Sequence, residues 1–307
     1  MGIKFDSFEI NGTDVSEHNG VINWSKVTCD FAAIRVGYGR VIDTQFVRNW
    51  RQAKGKVKRI RYWYMDYYSN HIQGTPVYGM SDEAWGKEQA ANCHNIEKGD
   101  QEGIVFLDIE STTGGYAPKI QEVQSRVHRI ARAFLEEIDR LSGKKNGMYI
   151  AVGWLDWYPI WFRDRPLWVA WYNIFQTIKS VLARVVKNGW TGRCLMWQFS
   201  SREKVTGIKG NVDGNGWIGS DQDYVDLFGG TIGPAVTPED TKALYSVKVL
   251  INNLSVRSGP MVLHKWLRRA DFPGEYSIYE ERGGYGRISE SVSEWISLSS
   301  KYVQVIK

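Results

Sequence analysis

Cysteine is scarce in this 307-residue chain, with Cys29, Cys93 and Cys194 as the whole set. An odd number at distant positions excludes a complete disulfide framework and offers no zinc-type spacing. Histidine is equally thin: His18, His71, His94, His128 and His264 form no metal-ligand pattern. Cys93 and His94 are neighbours on an expected helix, so their side chains diverge and make no nucleophile pair. A phosphate loop is missing, because Gly37-Tyr38-Gly39 lacks the further glycine and the lysine that such a loop needs. Neither a metal nor a cofactor is therefore expected. The chain has no run of about 18 apolar residues, which argues against a transmembrane helix and membrane insertion. Its densest apolar stretch, Met148 to Phe162, is interrupted by Asp156 and Pro159. The opening residues lack a basic stretch leading into an apolar one, so synthesis in the cytoplasm without Sec export is expected. The net charge of +5 comes from scattered Lys and Arg rather than from blocks. That pattern argues against a nucleic-acid partner and suits an anionic polymer.

What the chain does have is aromatic residues: 14 Trp, 16 Tyr and 11 Phe. Aromatics fill cores first, but they also form platforms for the apolar faces of sugar rings. With 43% hydrophobic and 24% charged residues, the balance is that of a globular protein. Gly229-Gly230, Gly233-Pro234 and Thr237-Pro238 mark a break in the pattern. The expected organisation is a domain over 1–229, a linker over 230–243 and a small domain over 244–307.

The first domain reads as alternating strands and helices. Buried strands are expected at Phe31 to Gly37, Ile104 to Glu110, Gly147 to Val152, Leu167 to Tyr172 and Cys194 to Phe199. Helices are expected at Asp43 to Lys54, at Ser81 to Lys98 with Gly99 past its end, and at Gln121 to Leu141 with Gly143 past its end. This alternation implies an α/β fold with a mostly parallel sheet, open or closed into a barrel. A barrel would place its site at the C-terminal strand ends. The tail shows five short β-like runs: Ser246 to Leu250, Leu254 to Arg257, Tyr276 to Glu280, Glu294 to Leu298 and Tyr302 to Ile306. Gly- and Pro-containing turns separate them, as in a small all-β barrel or sandwich.

The sharpest chemical signal is Leu107-Asp108-Ile109-Glu110 at the end of an apolar run. In a strand, residues i and i+2 share a face, with Cα atoms about 6.5–7 Å apart. Two carboxylates that close cannot both ionise freely, and a partly dry site keeps a proton on one of them. That division suits glycoside hydrolysis, with Glu110 as acid and Asp108 as anion. A bare Asp-x-Glu is also compatible with solvated carboxylates at a strand exit, or with a metal site. Asp14 and Asp213 lie at further strand ends, where each alone would read as a turn or cap residue.

Taken together, the motifs resemble glycoside hydrolase family 25, the N-acetylmuramidases. The resemblance rests on Gly12-Thr13-Asp14-Val15-Ser16, Asn19-Gly20-Val21-Ile22-Asn23-Trp24, Ala33-Ile34-Arg35-Val36-Gly37, Asp43 with Phe46, Asn49 and Ala53, Leu107-Asp108-Ile109-Glu110, Trp168-Val169-Ala170-Trp171-Tyr172, and Trp197-Gln198-Phe199 through Gly207, Gly210 and Asp213. These occur in the family's order over about residues 10–225. The resemblance implies an irregular β/α barrel that cleaves the β-1,4 bond after N-acetylmuramic acid in peptidoglycan. It implies Glu110 as general acid, with Asp108, Asp14 and Asp213 lining the same groove. The family's third strand ends in a Gly-x-Tyr-His-Phe-like run, whereas this chain reads Arg61-Tyr62-Trp63-Tyr64-Met65-Asp66-Tyr67-Tyr68. Tyr64 is the expected groove residue there, and Asp66 is expected to be structural. Tyr149, Tyr172 and Trp197 are candidates for sugar stacking and hydroxyl contacts, with barrel core as the alternative. Arg35 is buried by pattern and should pair with a carboxylate, an aspartate of the site being one choice.

In the tail, Leu254-Ser255-Val256-Arg257-Ser258-Gly259-Pro260, Gly274 to Tyr279, Tyr285 to Ile288 and Glu294 to Leu298 resemble bacterial Src-homology-3-like domains. That resemblance implies wall binding, with Tyr285, Trp266 and Trp295 as candidate exposed aromatics. The expected whole is a monomeric peptidoglycan hydrolase of phage or prophage endolysin type, released to the wall by a holin or another non-Sec route. A chitinase-like N-acetylhexosamine hydrolase and a non-catalytic wall-binding protein are the competing expectations.

Overall fold

The computed structural model describes residues 3–111, 123–173, 175–228, 243–260, 266–282, 284–289 and 294–306. The chain divides into two compact units, Met1–Gly219 with Asp226–Gly229, and Ser220–Val225 with Gly230–Lys307. Nearly all of the expected linker lies outside the described residues. Among the described residues, no helix is long and apolar enough to cross a membrane.

The first unit is a closed barrel of eight strands: β1 (Asn11–Val15), β2 (Phe31–Tyr38), β4 (Lys58–Tyr64), β5 (Val105–Asp108), β6 (Gly147–Ala151), β7 (Leu167–Ala170), β8 (Cys194–Glu203) and β9 (Val212–Trp217). The two-residue strand β3 (Val41–Ile42) lies outside the ring, on the edge of β2. Neighbours from β1 through β8 run parallel, while β9 is antiparallel to both β8 and β1 and closes the ring. The parallel strands are covered on both faces, so they read as near-continuous apolar runs; Phe31, Ala32, Ala33 and Ile34 are all fully buried. Strand β9 was not legible as a barrel strand because it reads Val-Asp-Gly-Asn-Gly-Trp. Its glycines are there for packing. A Cβ on Gly216 would fall 1.9 Å from the Phe8 ring, and one on Gly214 would fall 2.4 Å from Glu203 and 2.9 Å from Phe199.

Helices α1 (Phe46–Ala53), α2 (Asp82–Asn95), α3 (Gln124–Ser142) and α4 (Ile178–Lys187) pack outside the ring. Helix α3 follows its apolar pattern: Val127, Ile130, Phe134 and Ile138 are buried, and Gly143 takes a left-handed conformation that lets its N–H reach Asp139 O. Helix α2 begins where the Ser81 hydroxyl accepts from Ala84 N at 3.1 Å. It stops at Asn95, short of the expected Lys98, because Glu97 rather than Gly99 takes the left-handed turn (φ 53°). Six tryptophans (Trp24, Trp50, Trp63, Trp85, Trp168 and Trp197) are buried to below 2% exposure, so the core absorbs much of the aromatic excess.

Gly86 sets the spacing between α2 and α3. A Cβ there would lie 2.4 Å from Ile130 O and 2.9 Å from Ala133 Cβ. Gly86→Ala raises helix propensity by about 1 kcal/mol but forces two packed helices apart, an overpacking cost of about 1–3 kcal/mol. The expected net result is a lower Tm, by a few degrees, in calorimetry; a rise would show that the helices can separate freely.

The second unit is all β. One sheet has the order β13 (Glu275–Ile278), β10 (Tyr245–Val249), β17 (Val303–Val305). The other has the order β12 (Trp266–Arg269), β11 (Ser255–Arg257), β16 (Trp295–Ser297), β15 (Tyr285–Arg287), β14 (Glu280–Arg282). Val247, Val249, Val256, Ile278, Ile296 and Val303 form its core. The five expected runs overlap β10, β11, β13, β16 and β17 in turn. Strands β12, β14 and β15 were not among those runs; β12 reads Trp-Leu-Arg-Arg, which lacks a polar and apolar alternation and is mostly exposed. Of the candidate exposed aromatics, Trp266 is 53% exposed, but Trp295 is buried at 4% and offers no platform.

Candidate active site

The barrel brings together at one end the four acids that the sequence scatters over 200 positions. Asp14 is the fourth residue of β1, and the antiparallel register sets it directly opposite Asp213 on β9. Asp108 ends β5, flanked by Tyr64 on β4 and Tyr149 on β6. Glu110 follows two residues later, beyond Ile109, whose N–H continues the ladder to Tyr149 O at 3.2 Å. Beneath them, Trp168 fills the barrel, with ring contacts to Tyr149 (4.6 Å), Tyr62 (5.9 Å) and Phe106 (5.9 Å).

A hydrogen-bond network ties this floor to the acids. Trp168 Nε1 donates to Asn215 Oδ1 at 2.8 Å, and Asn215 Nδ2 donates to Asp14 Oδ2 at 2.7 Å. Gln198 Nε2 donates to the same oxygen at 2.9 Å. Gln198 Oε1 accepts from Tyr149 Oη at 2.7 Å and also from Tyr172 Oη. Thr13 Oγ1 donates to Asp213 O at 2.8 Å and fixes the β1–β9 seam.

Burial and mutual repulsion push every acid of the cluster above the ordinary carboxylate range. Burial raises Asp14, while bonds from Asn215 and Gln198 oppose it. Burial, then the Asp14 charge, lifts Asp213 to about 8. Asp108 goes well above its usual value through burial and the charges of Glu110 and Asp14, with Arg35 opposing. Its Oδ1 is buried with no hydrogen-bond partner among the described residues. Glu110 differs in access: its side chain is exposed to solvent, yet enough protein surrounds it that burial still raises its carboxyl, with the Tyr149 hydroxyl opposing the rise and the Asp14 charge adding to it.

Tyr64, Tyr149 and Tyr172 do line this end. Burial beside the carboxylates pushes all three phenols up, so they remain neutral hydrogen-bonding groups. Trp197 does not: it is fully buried, packs on Phe8 and Phe199, and donates Nε1 to Trp171 O at 3.0 Å. Arg35 pairs with carboxylates as expected, but not with those of the acid cluster. Its Nε donates to Asp43 Oδ2 and its Nη2 to Glu17 Oε1, both at 2.9 Å, so it acts on the acid cluster only as a nearby charge. Asp66 is structural: its Oδ1 accepts from Tyr68 N and Ser69 N, each at 3.0 Å. The residues missed were Gln198, Asn215 and Tyr62. Strand parity could have found the first two. Trp197 packs outward, so Gln198 must point inward, and Asn215 shares the Asp213 face of β9. Among the described residues, no three His, Cys, Asp or Glu side chains are arranged to hold a metal ion.

Comparison with known proteins agrees with this architecture. Residues 13–208 match the model of the family described as glycosyl hydrolases family 25. That match covers Asp14, Asp108 and Glu110 and stops just before Asp213. The uncharacterized protein YegX of Escherichia coli O157:H7 is 26% identical over 227 residues, spanning 71% of this chain and 72% of that protein. The bacterial lysozyme from Streptomyces coelicolor superposes with a TM-score of 0.54 at 20% identity, covering 71% of this chain and 96% of the lysozyme. The modular autolysin LytC from Streptococcus pneumoniae, solved with a synthetic peptidoglycan ligand, also gives 0.54 at 20% identity, covering 68% of this chain and 46% of LytC. The barrel is thus shared with these structures, and by its family match this chain belongs to the glycosyl hydrolases family 25 and is a glycoside hydrolase.

Proposed function

We propose that the enzyme is an N-acetylmuramidase that hydrolyses the β-1,4 bond between N-acetylmuramic acid and N-acetylglucosamine in peptidoglycan. The observation that carries this reading is the contrast within the cluster: Glu110 is open to solvent while Asp108 is buried beside it. Glu110 donates its proton to the glycosidic oxygen, and positive charge then builds at the anomeric carbon. Asp14 and Asp108 supply the negative field that favours this charge. Tyr64, Tyr149 and Tyr172 contact the sugar at the rim.

The unpartnered Asp108 Oδ1 favours a substrate-assisted route. A buried acceptor is costly without a donor, and the N–H of the substrate's acetamido group supplies one. Asp108 then orients that amide, whose oxygen attacks the anomeric carbon to give an oxazolinium-like intermediate that water opens. In this reading the second unit is a Src-homology-3-like wall anchor with Trp266 exposed, and the setting is a phage or prophage lysin. The peptidoglycan ligand of LytC supports the same substrate class.

The test is digestion of purified peptidoglycan with the wild-type protein and with Glu110→Gln, followed by borohydride reduction and mass spectrometry. Reduced muramic acid ends from the wild type alone are expected. Reduced glucosamine ends would overturn the bond assignment, and no products from several wall types would overturn the muramidase reading.

A further inference from the structure

Four phenols gather at the acid-bearing end of the barrel, and hydrogen bonding divides them. Tyr149 and Tyr172 each give their single proton to Gln198 Oε1. Tyr64 and Tyr62 give theirs to no acceptor among the described residues. Tyr64 stands at the rim, in register with Asp108. Tyr62 is two residues earlier on β4, on the same face and about 6.5–7 Å deeper. It is in register with Arg35 on β2 and with Phe106 on β5. Its ring meets Trp168 edge-on at 5.9 Å. Tyr62 is only 7% exposed, and its hydroxyl oxygen is part of what remains open, since it is not among the sealed polar atoms that lack a partner. Beneath it Ile60 and Phe31 are fully buried and close the barrel. The hydroxyl therefore opens toward the acids.

Asp108 Oδ1 is the complementary case, a buried acceptor that no donor among the described residues reaches. Tyr62 and Asp108 thus stand on adjacent strands and on one face, the first offering a proton and the second lone pairs. One group satisfies both if it donates and accepts through neighbouring atoms, as a secondary amide does with its N–H and C=O. Trp168 and Phe106 supply an apolar floor at the same depth, which suits a methyl group. We propose that Tyr62 is a further substrate-binding residue, donating its hydroxyl hydrogen bond to the carbonyl oxygen of the acetamido group whose N–H is accepted by Asp108. The inference deepens the muramidase reading and rests on it. An amide oxygen has two lone pairs, so the phenol takes one and leaves the other free to face the anomeric carbon. Burial, with the charges of Asp14 and Asp108, pushes the Tyr62 phenol well up against the opposing charge of Arg35, so it keeps its proton to donate.

Depth selects Tyr62 over Tyr64, the other uncommitted phenol. Tyr64 stands level with Asp108 and meets the sugar ring. The acyl group lies beyond the amide nitrogen, deeper than the ring, at the level of Tyr62. The consequence is selectivity for an N-acetylated sugar over one with a free amine at the same carbon. A free amine brings no carbonyl to the phenol, and a site built to bond a polar group discriminates against the analogue that lacks it.

The experiment is calorimetric binding to the full chain carrying Glu110→Gln, so that turnover does not intervene. The two ligands are a tetrasaccharide of alternating N-acetylglucosamine and N-acetylmuramic acid and its N-deacetylated counterpart. Adding Tyr62→Phe should weaken the acetylated ligand about tenfold, the worth of one hydrogen bond. The deacetylated ligand should stay within about twofold, so the preference for acetyl shrinks by the difference. Tyr64→Phe should weaken both ligands alike. The Tyr62 hydroxyl holds no protein group and the ring stays on Trp168, so Tyr62→Phe should melt with the parent. An unchanged acetyl preference in Tyr62→Phe overturns the assignment. So does an equal loss for both ligands, a preference lost in Tyr64→Phe instead, or a parent that does not bind the acetylated glycan. The muramidase reading is judged separately, by the muramic acid ends that the wild type releases. Their absence refutes that reading and this one with it, whereas their presence with an unchanged preference refutes the role of Tyr62 alone.

Discussion

Glu110→Gln is expected to lower turnover on peptidoglycan by about 10²–10⁴-fold, the range typical for loss of a positioned general acid. Substrate affinity and fold should be nearly unchanged. The fold argument is direct, because the Glu110 side chain is exposed at the strand end and the substitution keeps its size. The kinetic argument follows from its chemistry: an amide cannot deliver a proton to the leaving oxygen, so the loss falls on kcat rather than KM. Asp108→Asn should cost less, because the amide still fills the site and can still present its oxygen to the substrate's acetamido group. Equal, near-complete loss from both substitutions would favour direct attack by Asp108 over the substrate-assisted route. Release of soluble reducing ends, measured alongside thermal melts, separates lost chemistry from lost structure. Activity retained in Glu110→Gln to within tenfold of wild type would remove Glu110 from the proton-transfer step.

The barrel and its acids were largely legible in the sequence, for identifiable reasons. Parallel strands covered on both faces leave long apolar runs, and the acids stand where those runs stop, as at Leu107-Asp108-Ile109-Glu110. Helix α3 announced itself through its spacing and its Gly143 stop. What stayed hidden depends on parity and on contacts distant in sequence. One position separates Trp197, which packs outward into the core, from Gln198, which points inward to Asp14. An aromatic beside a sugar site draws attention, so reasoning without the register favoured the wrong member of that pair. Arg35 was correctly expected to need a carboxylate, but Glu17 and Asp43 are brought to it by the β1 and β2 connections, which no local pattern encodes. Strand β9 was obscured because Gly214 and Gly216 answer to rings from elsewhere in the fold rather than to strand propensity.

The same cluster should make the enzyme more stable in acid than its other interactions alone would predict, and Asp213→Asn should expose this. Asp213 ionises near 8 in the folded chain, against an ordinary value of 3.8, through burial and the neighbouring Asp14 charge. Between those two values the folded chain holds a proton that the unfolded chain has released. The contribution of Asp213 is thus fully present below about pH 4 and is lost as pH rises toward 8. Asparagine keeps an N–H to donate to Asp14 and has no proton to lose. At pH 8, Asp213→Asn should therefore stabilise the protein by about 1–3 kcal/mol, less than the full shift implies because the side chain is partly solvated. That corresponds to a rise in Tm of several degrees for a unit of this size. At pH 4 the two proteins should melt together. Chemical denaturation across pH 4–8 measures the difference, and parallel curves at all pH values would show that Asp213 is ionised throughout. The expected divergence would mean that the barrel gives up stability at neutral pH in order to keep four carboxyl groups close enough to share their protons. A structural role alone provides no reason for such an arrangement, whereas proton transfer to a glycosidic oxygen does.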